Sequence, residues 1–171
     1  MERRHHEFVV HLGSNSGNRE RYLRSAIQEM DEQGLRVTKS SPIYETEAWG
    51  YIEQAPFLNQ AHIGNTHLSP FKLLDVCKQI EINLGRRKTK KWGPREIDID
   101  IIFYGSTIIG TSQLTIPHPY LEERRFVLQP IHDIAPGYSN PVNGKTIEKI
   151  LSSCEDQSTV IFYKEDPHVV K

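Results

Sequence analysis

Apolar positions recur along this chain with two different periods, and the changes from one period to the other mark out its elements. Phe8 to Leu12 is a short apolar run ended by Gly13-Ser14-Asn15, with the length and composition of a strand. Asn18 suits an N-cap for a helix from Arg19 to about Gln33, which Gly34 ends. Within that helix Tyr22, Leu23, Ala26, Ile27 and Met30 repeat at helical spacing and form one face to bury, with arginines and glutamates opposite. Leu35 to Glu45 reads as extended, Pro42 confining its middle to an edge or a bulge, and Phe57 to Gly64 reads as another strand. Ser69-Pro70 is a cap followed by a first-turn proline, and Leu73, Cys77, Ile80 and Leu84 continue at helical spacing until Gly85. Ile97 to Tyr104 is the most strand-like segment, and Gly105-Ser106 turns it into a shorter run at Ile108 and Ile109.

The order is β, α, β, β, α, β, which predicts an α+β fold with a split-βαβ, ferredoxin-like βαββαβ sheet and helices on one face. Further on, Ile116-Pro117-His118-Pro119 is a rigid extended bend and Arg124 to Ile134 reads as helical up to its prolines. Ile147 to Leu151 suits a short helix and Val160 to Tyr163 a last strand. Without repeats or a long linker, residues 1–171 are expected to form one domain, with a core at about 8–137 and a C-terminal extension over 138–171.

Hydrophobic residues at 37% and charged residues at 25% exclude intrinsic disorder and membrane insertion as bulk properties. No stretch approaches the roughly 20 apolar residues of a spanning helix, and the chain opens without a signal-like apolar region, so a cytoplasmic location is expected. Cys77 and Cys154 have no metal-ligand spacing and read as reduced thiols. The net charge of -1 conceals a local asymmetry, because six of the ten residues from Arg86 to Arg95 are basic.

That asymmetry gains meaning from the acidic strand beside it. In Ile97-Asp98-Ile99-Asp100-Ile101 the period of two sends both aspartates to one face, about 6 to 7 Å apart. At an effective dielectric near 20 their repulsion is roughly 2.5 kcal/mol, a conflict that a bound cation reverses. A solvated edge strand would show the same pair, and a basic run alone reads as a solvated loop or a nucleic-acid patch. Together they fit Mg²⁺ and a polyphosphate, since Mg²⁺ typically takes one or two carboxylates plus phosphate oxygens, while arginine and lysine stabilise the transferring group.

Other candidates are weaker taken singly. Gly13-Ser14-Asn15-Ser16-Gly17 follows a strand but matches neither phosphate-loop pattern, and reads as a tight turn. His118, held between prolines, is in a position to aim its ring at a ligand, although bends often carry structural histidines. Phe57, Trp92 and Phe126 suit stacking on a flat heterocycle and Asn59 suits its edge, while core packing explains each phenylalanine equally well. No arrangement for a nucleophilic side chain is evident.

The stretch Lys91-Trp92-Gly93-Pro94-Arg95-Glu96-Ile97-Asp98-Ile99-Asp100-Ile101-Ile102 resembles the signature of the 6-hydroxymethyl-7,8-dihydropterin pyrophosphokinase family. Leu12-Gly13-Ser14-Asn15, Ser41 to Thr46 with Gly50, Phe57-Leu58-Asn59, and Ile116 to Pro119 leading to Arg124-Arg125-Phe126-Val127-Leu128 agree in order and spacing, so the resemblance covers roughly residues 8 to 137. It implies a ferredoxin-like fold and transfer of pyrophosphate from ATP, with two Mg²⁺ ions, to the pterin hydroxymethyl group in folate synthesis. By the same resemblance Asp98 and Asp100 are the metal ligands, and Arg86 and Arg95 stabilise the phosphates during transfer. Glu81, Arg86, Lys88, Lys91, Trp92, Thr115, His118 and Arg124 would bind ATP. Thr46, Trp49, Gly50, Phe57, Asn59, Trp92 and Phe126 would bind the pterin. Lys88 and Lys91 stand where arginine is common in the family, replacing two-pronged forks by point charges. Glu47-Ala48-Trp49 also departs from the proline-rich stretch of some members, and Gln113 from their arginine.

ATP and the pterin are thus the expected partners, with no nucleic acid, no membrane and no obligatory protein partner. Two other readings use the same residues: a nucleic-acid-binding module built on the basic loop, and a metal-dependent nucleotidyl-transfer enzyme that releases pyrophosphate.

Overall fold

The structure, a computed structural model, describes residues 4–48, 53–86 and 94–166. Strand β1 spans His6–Ser14, helix α1 Arg19–Glu32, β2 Arg36–Ser40, β3 Ile43–Thr46, β4 Phe57–Thr66, α2 Pro70–Asn83 and β5 Asp98–Tyr104. A hairpin of β6 (Ile109–Gly110) and β7 (Thr115–Ile116) comes next. After a single 3-10 turn at Leu121–Glu123 come α3 (Arg125–Ile134), α4 (Ile147–Ser152) and β8 (Val160–Lys164).

The expected helix signals do what their chemistry requires. Asn18 accepts from the Arg21 N–H and Ser69 from the Lys72 N–H, each satisfying a donor that the first turn leaves open. Gly34, at φ +84°, turns the chain out of α1. The extended segment around Pro42 becomes two strands, β2 and β3, both paired with β4. Ser41 carries the ladder to the break: its N–H donates to the Ala61 carbonyl and its Oγ accepts from the Ala61 N–H, each at 2.9 Å.

The main sheet runs β5-β1-β4-β3-β8, with β2 also against β4, and every pair is antiparallel. With β2 and β3 taken as one interrupted strand, this is the ferredoxin-like order. The last strand does pair, β8 lying on β3, and Tyr163 and Lys164 both bond Glu20 of α1.

One face of the sheet packs Phe8, Val10, Leu12, Ile99 and Ile101 against Leu23, Met30, Leu73 and Ile80 of α1 and α2. The expectation of helices on one face holds only for these two. Val9, Ala61, Ile63 and Ile102 make the other face apolar as well, and α3 and α4 cover it through Val127, Leu128, Ile131 and Ile150. A sheet apolar on both faces has to be covered on both. Helix α3 runs through Pro130 to Ile134, matching the range read from the sequence to within one residue. The bend at residues 116–119 includes a cis Ile116–Pro117 peptide, and Ile116 itself pairs in the hairpin.

Candidate active site

Antiparallel register brings three strands' side chains to the α3 face in rows. Asp98 and Asp100, two residues apart on β5, lie opposite Gly13 and His11 of β1, which in turn lie opposite Asn59 and Ala61 of β4. One row is therefore Asn59, Gly13, Asp98, and the next is Ala61, His11, Asp100. Gly13 has no side chain to fill the space between an amide and a carboxylate. A recess opens there, walled by Phe57, Phe126, Thr46, Arg95 and Arg124.

The start of β5 is fixed by its neighbours. Asn15, just past β1, accepts from the Arg95 N–H at 2.8 Å through its side chain, while its own N–H donates to the Arg95 carbonyl at 3.0 Å. Its amide also donates to the Gln54 side chain and to the Ala55 carbonyl. From α2, Glu81 accepts the Ile99 N–H at 2.9 Å, between the two aspartates. The same carboxylate holds Arg86 at 2.5 Å, and Arg86 reaches Asp98 at 3.6 Å. Arg95 pairs with the other oxygen of Asp98 at 3.1 Å.

Opposite the acidic side, Asn59 donates to the Thr46 hydroxyl at 2.6 Å, which fixes the orientation of its amide. Arg124 lies 4.7 Å from the Tyr120 ring centre and 5.7 Å from that of Phe126, so it is held against both rings. His11 meets Phe126 edge-to-face at 5.7 Å and lines the same recess. Along the edge of β5 a second recess is lined by Thr115, His118, Lys78 and Asp100, which is thus common to both. The His118 N–H ties this segment to the Ile102 carbonyl at 3.1 Å.

Burial and like charge set the protonation of this region. Asp100 is raised to about 8, first by burial and then by the charge of Asp98, with Arg124 opposing. Glu81 is also raised, by burial and then Asp98, against the Ile99 N–H, Lys78 and Arg86. Burial lowers both His11 and His118 to about 4, and the positive charge of Arg124 adds to it. Both imidazoles are therefore neutral near pH 7.

Of the residues singled out in the sequence, Thr46, Phe57, Asn59, Arg95, Asp98, Asp100, Arg124 and Phe126 meet in the first recess, and Thr115 and His118 line the second. Arg124, expected with ATP, stands in the first recess beside Phe126. Glu81 is only 1% exposed and faces inward to the β5 backbone and Arg86. Trp49, Gly50, Lys88, Lys91 and Trp92 lie outside the described residues. The run read as a turn at Gly13 continues as strand to Ser14. His11 was not singled out, though a histidine inside an apolar run was the available signal.

Two hard carboxylates on one floor suit a divalent cation. Among the described residues no three His, Cys, Asp or Glu side chains converge as a closed cage. A donor set of two carboxylates leaves further positions for phosphate oxygens and water, the usual arrangement for Mg²⁺.

The model of the 7,8-dihydro-6-hydroxymethylpterin-pyrophosphokinase (HPPK) family matches residues 9–136. The 2-amino-4-hydroxy-6-hydroxymethyldihydropteridine pyrophosphokinase of Bacillus subtilis (strain 168) is 43% identical over 158 residues, covering 91% of this chain and 89% of that protein. The protein of the same name from Aquifex aeolicus (strain VF5) is 42% identical over 138 residues, covering 81% and 86%. Among solved structures, the HPPK-DHPS of Plasmodium falciparum with pteroate superposes with a TM-score of 0.71 at 18% identity, covering 89% of this chain and 43% of that one. At that identity the likeness speaks to the fold alone.

Proposed function

The chain belongs to the 7,8-dihydro-6-hydroxymethylpterin-pyrophosphokinase family, and from that premise we propose how its residues divide the work of transfer. It is a diphosphokinase of folate synthesis: pyrophosphate passes from ATP to the hydroxymethyl group of 6-hydroxymethyl-7,8-dihydropterin, giving the pterin diphosphate and AMP. Use of ATP implies a divalent metal. No helix among the described residues is long and apolar enough to cross a membrane. A cytoplasmic location, with ATP and the pterin as partners, belongs to the proposal.

One observation carries the assignment of residues. A single recess joins an aromatic, amide-edged half at Phe57, Phe126, Asn59 and Thr46 to an acidic half at Asp98 and Asp100, across Gly13. A flat heterocycle fits between the rings and meets the amide and hydroxyl at its edge. Its hydroxymethyl arm then extends over Gly13 towards the carboxylates. Asp98 and Asp100 would hold two Mg²⁺ ions, which neutralise phosphate charge when bound. Arg95 and Arg86, already paired with Asp98, are within reach of the phosphates on that side. Thr115 and His118 belong to the second recess and with it to the nucleotide. Asp100, common to the two recesses, stands where the substrates meet.

The hydroxymethyl oxygen attacks the β-phosphorus of ATP in line and gives up its proton to solvent, the bond from the β-phosphorus to the oxygen bridging to the α-phosphate breaks, and AMP leaves with that oxygen. The chain's residues position the two substrates and stabilise charge, and no side chain needs to act as a nucleophile. In an assay with ATP and Mg²⁺, AMP will form only when the hydroxymethylpterin is present. Pyrophosphate release in place of AMP would instead identify nucleotidyl transfer. Asp98→Ala and Asp100→Ala will each abolish turnover while circular dichroism stays unchanged, and near-normal AMP formation by either would refute its role as a ligand.

A further inference from the structure

Continued across the sheet, the row that holds Asn59, Gly13 and Asp98 takes in Tyr44 of β3, which lies opposite Asn59, and then Phe162 of β8. Tyr44 therefore stands on the α3 face beside the amide edge of the recess, 8% exposed, without being one of its walls. Its hydroxyl donates to Asp133 in the last turn of α3. Burial, and then Asp133, hold the phenol above its ordinary pKa, so it stays a donor. Its ring meets Phe162 edge-to-face at 6.2 Å.

Groups outside helix α3 hold it at both ends. At its start the Arg125 N–H donates to the Asp156 carboxylate at 3.0 Å, and the Arg125 Nε to the Asp156 carbonyl at 2.8 Å. At its end Lys39 of β2 donates to the Ile134 carbonyl at 2.9 Å, and Tyr44 of β3 to Asp133. The bond from Lys39 is to backbone and fixes where the helix ends. A bond to a side chain also fixes which way the helix faces. Asp133 follows Phe126 by about two turns, so the two side chains share one face. The rotation that brings Asp133 to Tyr44 is the one that turns Phe126 over the recess.

We propose that Tyr44 is a positioning residue for the pterin subsite, setting through Asp133 the rotation of α3 that aims the Phe126 ring at the substrate. This rests on the reading of Phe126 as a pterin-stacking wall. A residue that acts in this way will change pterin binding and leave the nucleotide and the chemical step largely alone.

The test is a set of double-mutant cycles on the full chain, with AMP formation as readout. Tyr44→Phe removes the hydroxyl and keeps the ring against Phe162; it will raise the KM for hydroxymethyldihydropterin about fivefold. Both kcat and the KM for ATP will change by less than about twofold. Asp133→Ala will match it, Asp133→Asn, which keeps an acceptor, will recover part of the loss, and Tyr44→Phe with Asp133→Ala will be no worse than either alone. In a Phe126→Ala background Tyr44→Phe will add nothing, because the group it aims is gone. Ile27→Val, which trims the packing of α1 on the opposite face of the sheet, will lower the urea midpoint and leave the pterin KM at the wild-type value. An equal rise in pterin KM for Ile27→Val would reduce the effect of Tyr44 to stability and overturn the proposal. So would additive losses in either cycle, or a fall in kcat at unchanged pterin KM. Should Phe126→Ala leave the pterin KM unchanged, the stacking wall itself is wrong and the role of Tyr44 falls with it. A raised KM in Phe126→Ala with wild-type KM in Tyr44→Phe removes only the role of Tyr44.

Discussion

Asp100 is an enclosed carboxyl beside a second carboxylate, and its titration is set by that placement. Its pKa in the folded protein, about 8, lies above the ordinary 3.8, so between those values the folded chain keeps a proton that the unfolded chain gives up. In metal-free protein its contribution to stability therefore falls as pH rises from about 4 to about 8. Urea denaturation across this range will show the decline, and Asp100→Asn will flatten it; an unchanged slope in the variant would sink the assignment. Metal binding requires the ionised form, so Mg²⁺ with a nucleotide will release protons near pH 7, measurable by calorimetry in buffers of different ionisation enthalpy. Gly13 is the complementary case, a position defined by what is missing. A Cβ there would lie 3.4 Å from both the Asn59 side-chain oxygen and the Phe57 ring, an ordinary contact distance. Gly13→Ala should accordingly melt close to wild type, yet raise the pterin KM about tenfold, because the methyl enters the space between Asn59 and Asp98. Wild-type kinetics would mean that the substrate does not pass over Gly13.

Among the elements, β4 carries the heaviest demand, since it pairs with β1 on one side and with β2 and β3 on the other. Gly64 sits where this strand passes the Phe8 ring and the β2 backbone. A Cβ at that position would overlap the ring and come within 2.5 Å of the Arg36 carbonyl oxygen. Backbone cannot yield as a flexible side chain does, so Gly64→Ala should cost about 1 to 3 kcal/mol or more by urea denaturation. A loss below about 0.5 kcal/mol would show that β2 moves aside freely. This demand is not legible in the sequence, where Gly64 simply ends the strand-like segment that starts at Phe57. The helices were legible, because Asn18 and Ser69 are local cap signals, each acting on a donor three residues away. The hairpin partner at Thr115–Ile116 was not, since strands of two residues are too short to show an alternation.

At the scale of the whole molecule, the acidic half of the recess and the second recess along β5 are joined by Asp100, so on the proposed assignment metal and nucleotide would meet there and bind each other as well as the protein. A non-hydrolysable ATP analogue with Mg²⁺ should therefore raise the melting temperature more than the sum of the two given separately, in a thermal-shift titration. Strictly additive shifts would place metal and phosphates apart. By itself the sequence determined the order of elements, the βαββαβ plan and the common face of Asp98 and Asp100, because caps, periods and alternation are properties of neighbouring residues. The family motif, also linear, identified the chemistry. What only the tertiary structure decided is what stands beside what. It set Gly13 between Asn59 and Asp98, turned Glu81 inward onto the β5 backbone and covered the second sheet face with α3 and α4. It also placed His11 next to Asp100 and beneath Phe126. Those relations come from strand register and packing between segments separated along the chain, and no local pattern encodes them, because the free energy that selects them is released only when the strands and helices close on one another.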